Sequence, residues 1–158
     1  MLSKLLRENV SIRNLPIIFE TLADYAKLTS DVDILTEYVR QALARQITTQ
    51  FVNGQPTLKV ITVSGKVEKM VADSIQQTDH GNYLAMDPQE SQYVLEAIAK
   101  EVERVSFMEQ SPLILCSPGV RMYLRQLTER YFPQIPILSY NELDAAVEIQ
   151  SVGVVNVE

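Results

Sequence analysis

The chain has 158 residues, a length that suits one domain or two modest lobes that bury a core of their own. Hydrophobic residues make up 46% of the sequence and charged residues 22%, which excludes a disordered, collagen-like or low-complexity chain. Fourteen basic against twenty acidic residues give a formal net charge of −6, so attraction to nucleic acid or to an anionic membrane surface is disfavoured. The composition therefore favours proteins or small molecules as partners.

The chain has one cysteine, Cys116, and one histidine, His80. This count permits no internal disulfide and supplies too few nitrogen and sulfur ligands for a structural zinc site. No apolar run approaches the ~18 residues that a bilayer-spanning helix needs, and Met1–Glu8 is too charged and too short for a secretory signal. We therefore expect this stretch to lie in a reducing, cytosolic environment.

Apolar residues recur at intervals of three and four over the first fifty residues, which predicts a helical hairpin. The first helix is expected to begin at Asn14, with Pro16 in its opening turn. Its predicted inward residues are Leu15, Ile18, Phe19, Leu22 and Ala26. The second helix is expected to be capped by Ser30 and to continue through Ile47. A further helical piece is predicted at Leu2–Leu6.

The pattern of residue types changes after the first fifty residues. Asn53, Gly54 and Pro56 interrupt the helical pattern, so we place a lobe boundary there. The β-branched segment Leu58–Val63 predicts a strand, and the following residues through Ala72 predict a helix. Residues 77–82 are polar and turn-forming, which predicts a loop.

Strand and helix alternate through the rest of the chain. Asp87 and Pro88 start a predicted helix that runs to about Met108. A second strand is expected at Leu113–Cys116, followed by a helix from Ser117 to about Tyr131. Two more strands are predicted, at Ile137–Tyr140 and Val147–Val152.

These elements predict an α+β protein with two lobes. Residues 1–52 form an N-terminal helical hairpin lobe, and residues 56–158 form a small two-layer α/β lobe. Four short strands and three helices are too few for a sheet covered on both faces, so we expect the helices mainly on one face.

Cys116 is the only residue that invites an enzymatic interpretation, because a thiol between a strand and a helix N-terminus can acquire a low pKa. A phosphatase-type loop needs five residues between its cysteine and its arginine, and Arg121 comes one residue too early. His80 lies in a polar loop with no nucleophile near it, and the glycines form no nucleotide-binding fingerprint. We therefore interpret Cys116 as a buried strand residue and predict no catalytic, metal or cofactor site; a small soluble thiol-dependent hydrolase is the alternative.

One pair of charges suggests a protein interface. Glu20 and Asp24 lie four residues apart on a predicted helix, where like charges repel unless a cation faces them. Arg13, Arg40 or Arg45 can supply that cation. The pair is either an internal or solvated feature or a contact with another subunit. We predict an interface that includes Arg13, Glu20, Asp24 and Arg40.

A resemblance to a known family is carried by six segments that follow one another in matching order. They are LLRENVSIR at 5–13, IFETLAD at 18–24, LTEYVRQALAR at 35–45, CSPGVR at 116–121, PILSYNEL at 136–143 and GVVN at 153–156. Together they resemble the C-terminal cytoplasmic region of the FlhA/InvA/LcrD family of type III secretion export-gate proteins. The similarity covers nearly the whole chain, although no single segment is a catalytic motif.

The resemblance implies a membrane protein of the bacterial inner membrane whose cytoplasmic part has four subdomains and forms a nonameric ring. Residues 1–52 would then be part of the third subdomain and residues 56–158 the fourth. The implied role is non-enzymatic and needs no cofactor. It is to support ring assembly and the platform that receives chaperone–cargo complexes for secretion and flagellum biogenesis.

The implied partners are other subunits of the ring, other export components and chaperone–cargo complexes, with no nucleic acid. The membrane would be reached only through the missing N-terminal part. The family's main docking groove lies between the first two subdomains, so no docking residue is expected in this chain.

Overall fold

The computed structural model describes five stretches of the chain; for residues 50–52 and 81 it describes the backbone only. These stretches are residues 2–52, 57–78, 81–107, 112–143 and 147–156. The predicted turn at Asn53–Pro56 and the predicted loop histidine, His80, lie outside them. The combination of a helical part and a separate sheet confirms the predicted α+β class.

The chain divides into two compact units. The helical unit contains Met1–Pro56 and Asn141–Val147, and the α/β unit contains Thr57–Tyr140 and Glu148–Glu158. The sequence analysis assigned residues 141–147 to the second lobe, whereas the contacts group them with the helices. The physical reason is a buried ion pair at Glu142, described below.

The described residues of the helical unit form four α-helices. They are α1 at Leu2–Arg7, α2 at Leu15–Tyr25, α3 at Val32–Ala42 and α4 at Ala44–Val52. The helical piece predicted at the N-terminus is present as α1. Asn14 is the N-cap residue of α2, as predicted, with Pro16 in the first turn. Its side chain makes no capping hydrogen bond, so the proline supplies the start signal.

The start and the continuity of the second predicted helix differ from expectation. The cap is Asp31 and not Ser30: the Asp31 Oδ1 accepts a hydrogen bond from the Asp33 N–H at 2.9 Å. A carboxylate also complements the positive end of the helix dipole, which favours it as the cap. The helix is interrupted at Leu43, so α3 and α4 are separate elements.

The predicted inward face of α2 is wrong for three of its five residues. Ile18 is fully buried and Leu22 is half-buried, but Leu15, Phe19 and Ala26 are exposed. Successive helical positions turn by about 100°, so an apolar arc this wide cannot face a single neighbouring helix along its whole width. One flank of α2 therefore keeps its apolar residues at the surface.

The α/β unit contains six strands and three helices in the described residues. They are β1 Thr57–Val63, α5 Gly65–Asp73, β2 Ile75–Thr78, β3 Gly81–Leu84, α6 Pro88–Phe107, β4 Ile114–Cys116, α7 Pro118–Thr128, β5 Ile137–Ser139 and β6 Glu148–Val155. The four predicted strands form one parallel sheet in the order β5-β4-β1-β6. Tyr140 lies just beyond β5, in a short 3-10 turn at Tyr140–Glu142.

The core of this unit lies between the sheet and its three helices. Ile61, Ile114 and Ile137 stand in register on neighbouring strands and belong to one buried cluster. The same cluster includes Val67, Val71, Val94, Ile98, Val105, Val120, Tyr123 and Leu124, which come from all three helices. One cluster joins all three helices to one set of strand residues. The prediction that the helices of this lobe lie mainly on one face of the sheet is therefore confirmed.

The loop predicted at residues 77–82 is wrong at residues 77, 78, 81 and 82, which lie in strands, while residues 79 and 80 lie outside the described stretches. β2 and β3 pair antiparallel as a hairpin, with Ile75 opposite Leu84 and Thr78 opposite Gly81. Ile75 and Leu84 pack against the buried cluster, which anchors the open end of the hairpin. Backbone pairing can form between polar residues once such an anchor exists, and the polar composition concealed it.

The helix starts in this unit follow the sequence signals closely. The Asp87 Oδ1 accepts a hydrogen bond from the Gln89 N–H at 2.8 Å, and Pro88 opens α6 as predicted. Ser64 caps α5 by accepting from the Val67 N–H at 3.2 Å. α7 ends at Thr128, three positions before the predicted end.

Candidate functional site

Three of the four predicted interface residues lie at the surface of the helical unit. Arg13, Glu20 and Asp24 are exposed, and the last two lie one turn apart on the outward side of α2. Arg40 is different, since only 2% of it is exposed. Three of the four charged side chains are therefore at the surface, and the fourth is buried.

Arg40 is held by two carboxylates inside the helical unit. Its Nε and Nη2 donate to the two carboxylate oxygens of Glu142 at 2.6 and 3.1 Å, and Glu142 is 0% exposed. The Glu8 Oε2 lies 3.7 Å from the Arg40 Nη1. A buried arginine needs such forked pairing to offset its lost hydration. Arg40 is thus paired inside the chain, and its contribution to an interface stays a prediction.

A further hydrogen bond ties the same residue to α4. The Thr48 Oγ1 donates to the backbone carbonyl of Glu142 at 3.1 Å, and Thr48 is itself buried. Glu142 is thereby fixed through both its side chain and its main chain. Sequence reasoning missed this contact because Arg40 and Glu142 are 102 positions apart and no local pattern links them.

The exposed side of α2 carries both apolar and acidic groups. Leu15, Phe19 and Ala23 follow one another at four-residue intervals, and we call them the α2 flank; all three are exposed, with Phe19 at 56%. Glu20 and Asp24 continue the same surface around the helix. An exposed phenylalanine beside charged residues is typical of protein interfaces, where an aromatic centre is bordered by a polar rim.

The opposite side of α2 is firmly packed. Ile18 is fully buried, and the ring of Tyr25 stacks on the ring of Tyr38 of α3 with centroids 4.0 Å apart and planes 7° apart. Stacked aromatic rings and a buried isoleucine fix the rotation of the helix about its own axis. The α2 flank is consequently held at the surface by the fold.

Cys116 does not have the surroundings of a nucleophile. It ends β4, is 0% exposed and belongs to the buried cluster of the α/β unit, as the sequence analysis predicted. A thiol with no accessible surface cannot reach a substrate. The hydrolase alternative therefore finds no support in the position of Cys116.

The N-terminus of α7 is occupied by a carboxylate of the chain itself. The Glu68 Oε1 accepts from the Ser117 N–H at 2.9 Å, and its Oε2 accepts from the Ser117 hydroxyl at 2.8 Å. Ser117 is the N-cap residue, but its hydroxyl does not cap the helix. Open parallel sheets bind anionic ligands at this kind of position, beyond the strand ends and against a helix N-terminus. Glu68 takes that position here.

The same carboxylate acts on Tyr140. Partial burial raises the pKa of the Tyr140 phenol, and the negative charge of Glu68 and a contribution from Cys116 raise it further. A tyrosine with a raised pKa stays protonated to higher pH, so less of its nucleophilic phenolate is present near neutral pH. This cluster therefore has a structural character.

The described stretches contain neither a metal-binding cluster nor a helix that could cross a membrane. Within residues 2–52, 57–78, 81–107, 112–143 and 147–156, no group of three or more His, Cys, Asp or Glu side chains could hold a metal ion. Over the same stretches, no helix has the length and apolar character needed to cross a membrane.

Comparison with known proteins gave consistent matches along the chain. Residues 1–148 match the model of the FHIPEP family. The chain is 60% identical over 157 residues to the flagellar biosynthesis protein FlhA of Bacillus subtilis, an alignment that covers 99% of this chain and 23% of that protein. The chain thus spans about a quarter of the length of this curated relative.

Solved structures with the same fold come from related proteins. The CdsV protein of Chlamydia pneumoniae has a TM-score of 0.90 at 34% identity, covering 98% of this chain and 44% of that one. The nonameric SctV-C of EPEC has a TM-score of 0.83 at 34% identity, covering 98% and 46%. CdsV has also been solved in a complex with the CdsO protein.

Proposed function

Because the chain belongs to the FHIPEP family, we propose that it is the C-terminal cytoplasmic part of a flagellar type III protein export gate. The observation that carries this proposal is the 60% identity with a flagellar biosynthesis protein along nearly the whole chain. We propose that the full-length protein resides in the bacterial inner membrane, with this part at its cytoplasmic face. We propose that the part of the protein outside this chain attaches it to that membrane.

Within the gate, the two units correspond to different subdomains of the cytoplasmic part. The helical unit is proposed to be part of the third cytoplasmic subdomain and the α/β unit to be the fourth. Together they support the ring and the platform that receives chaperone–cargo complexes. We propose no docking residue for those complexes in this chain. A partner among the other export components is supported by the complex that the related CdsV forms with CdsO.

The α2 flank is the surface that we propose for contact with a second copy in the ring. The related SctV-C is a nonamer, so a neighbouring copy is the occupant that the comparison favours. Phe19 would supply the apolar centre, while Glu20 and Asp24 would face basic groups such as Arg13 of the next copy. Exposed opposite charges at the rim of an interface set orientation and association rate more than affinity.

A non-enzymatic role is supported by the chemistry of the α/β unit. The one thiol is fully buried. The anion position at the start of α7 is filled by Glu68. We propose that this unit performs no turnover.

The proposal is tested in cells that carry the full-length protein. Phe19→Ser and Glu20→Arg are expected to reduce both the amount of assembled ring and the secretion of flagellar proteins, because each removes one part of the proposed contact. Phe107→Ser is the matched control, since Phe107 is an exposed phenylalanine at the end of α6, with 80% of it exposed against 56% of Phe19. Normal rings together with normal secretion in both α2 variants would contradict the proposed surface.

A second experiment tests the proposed function itself. Deletion of the gate gene is expected to abolish secretion of flagellar proteins, and the full-length protein carrying this chain is expected to restore it. Secretion that continues in the deletion strain would contradict the proposed function, whichever surface forms the ring.

A further inference from the structure

The parallel sheet of the α/β unit ends in two edge strands, β5 and β6. In the described residues its order is β5-β4-β1-β6, so β5 pairs with β4 alone and β6 pairs with β1 alone. An edge strand presents N–H and C=O groups that can pair with a strand of another molecule, and natural proteins protect such edges. Both edges of this sheet receive the same kind of contact, an arginine side chain that donates to a carbonyl of the edge strand.

The β5 edge is closed by a buried arginine. The Ile114 N–H donates to the Pro136 carbonyl at 3.0 Å, so the carbonyl of the next residue, Ile137, faces away from β4. The Arg121 Nη1 of α7 donates to that carbonyl at 2.9 Å. Arg121 is 1% exposed, and the three residues of β5 are all buried. This edge is therefore short and covered, and another strand cannot reach it.

The β6 edge is closed by an arginine at the surface. The register of β6 against β1 shifts between Ser151 and Gly153, which makes Val152 the extra residue of a β-bulge that the ladder leaves unpaired. The Arg104 Nη2 of α6 donates to the Val152 carbonyl. Arg104 is held there by Glu101, whose Oε2 accepts from its Nη2 at 2.8 Å and from its Nε at 3.1 Å. The Arg104 side chain is 46% exposed, so this contact, unlike that on β5, can be removed without opening the core.

Gly153 makes room for the arginine and the glutamate. A Cβ atom at this position would lie 2.5 Å from the Arg104 Nη2 and 2.5 Å from the Glu101 Oε2. Both atoms are at the ends of flexible side chains, so an alanine here would displace the two side chains and leave the backbone in place. A substitution at Gly153 is therefore a second way to remove the contact from the β6 edge, without any change in the sequence of α6.

We propose that Arg104 protects the open edge of the sheet, with Glu101 as its positioning residue, and that its loss lets β6 pair with β6 of a second copy. The strand has the composition for such pairing, because Ile149–Val155 contains no charged residue and no proline, and residues 148–151 are exposed. Two identical edges can pair antiparallel about a two-fold axis, which makes a second copy the natural occupant. This inference does not depend on the proposed function.

The experiment measures the weight-average mass of the complete chain by analytical ultracentrifugation over a range of concentrations. Arg104→Ala is expected to raise this mass by up to about twofold relative to the parent chain at the same concentration. Gly153→Ala is expected to act in the same direction, because its methyl group displaces Arg104. Lys100→Ala is the matched control, since it removes an exposed cation one turn earlier on α6 and is expected to leave the mass unchanged. An unchanged mass in both Arg104→Ala and Gly153→Ala, or an equal rise in Lys100→Ala, would overturn the proposal.

Two further measurements separate edge pairing from a loss of stability. Ile149 is an exposed residue of β6, and a lysine on an edge strand opposes pairing because its charge would lose hydration. Ile149→Lys in the Arg104→Ala chain is therefore expected to return the mass to that of the parent. Amide hydrogen exchange in β6 is expected to slow in Arg104→Ala, since the outward N–H groups gain partners. A mass that stays raised in the double variant, or faster exchange in β6 of Arg104→Ala, would overturn the proposal.

Discussion

The two units of this chain differ in the contacts at their centres. The α/β unit has a continuous apolar core in which three helices share one cluster with four strands. The helical unit contains a buried ion pair between Arg40 and Glu142. Both units expose large apolar residues, such as Phe19 in the helical unit and Phe107 in the α/β unit, so exposure alone does not distinguish them. The difference teaches that the helical unit should be most sensitive to loss of a charge partner and the α/β unit to loss of apolar volume.

The largest expected effect tests the charged centre of the helical unit. Glu142→Ala leaves the Arg40 guanidinium buried without its forked partner, which is expected to cost about 3–5 kcal/mol. Urea unfolding followed by circular dichroism measures this loss. Asp33→Asn removes an ion pair whose members are 41% and 29% exposed, and is expected to cost less than about 1 kcal/mol. Equal losses in the two variants would contradict a structural role for the buried pair.

The next effect compares one apolar residue from each unit. Ile98 is fully buried in the α/β core, and Ile98→Ala is expected to cost about 2–5 kcal/mol through lost burial and a new cavity. Phe19 has the larger side chain but is 56% exposed, so Phe19→Ala is expected to change stability by less than about 0.5 kcal/mol. Thermal unfolding of both variants measures the difference. A loss of stability in Phe19→Ala as large as that in Ile98→Ala would contradict the difference between the exposed and the buried residue.

How well the fold could be predicted from sequence also differs between the units. Asp87 and Pro88 define the start of α6 by local chemistry alone, and the structure begins the helix there. The apolar spacing of α2 gave the helix correctly but not its buried side, because spacing cannot reveal how many neighbours a helix has. Phe19 was consequently expected in the core.

The candidate site was predictable only in part. Glu20 and Asp24 were singled out because like charges at helical spacing are a local signal; both are exposed, and their part in an interface stays a prediction. The pairing of Arg40 with Glu142 depends on residues 102 positions apart, a separation at which no periodicity or capping rule operates. The same limit applies to Glu68, whose role depends on the position of Ser117.

A smaller effect is expected inside the α/β unit. Glu68→Gln keeps the shape of the side chain but removes the negative charge that accepts two hydrogen bonds at the start of α7. The expected loss is about 1–2 kcal/mol, since hydrogen bonds to charged groups exceed neutral ones and the helix dipole favours an anion there. Glu103→Gln, on the exposed side of α6, is the control and is expected to be near neutral. Chemical unfolding that gives both variants equal stability would contradict the anchoring role of Glu68.

The smallest effect concerns alkaline pH. The pKa of Tyr140 is raised above 10.0 in the folded chain by burial first and by Glu68 second. The unfolded chain therefore releases this proton at lower pH, so the contribution of Tyr140 to stability is complete below pH 10 and declines as the pH rises through the folded pKa. Ultraviolet phenolate absorbance, corrected with a Tyr140→Phe variant, measures the midpoint. Glu68→Gln is expected to lower that midpoint part of the way to the ordinary value, and an unchanged midpoint would contradict the assigned influence of Glu68.

The central claim is that the helical unit of this chain faces a second copy of the same protein in an export-gate ring. Photo-crosslinking from position 19 of the full-length protein in living cells tests it most directly, with position 107 as the comparison. The account predicts a crosslinked product that contains two copies of the gate protein from position 19 and none from position 107. Crosslinks from position 19 to other proteins alone, or the same products from both positions, would contradict the claim.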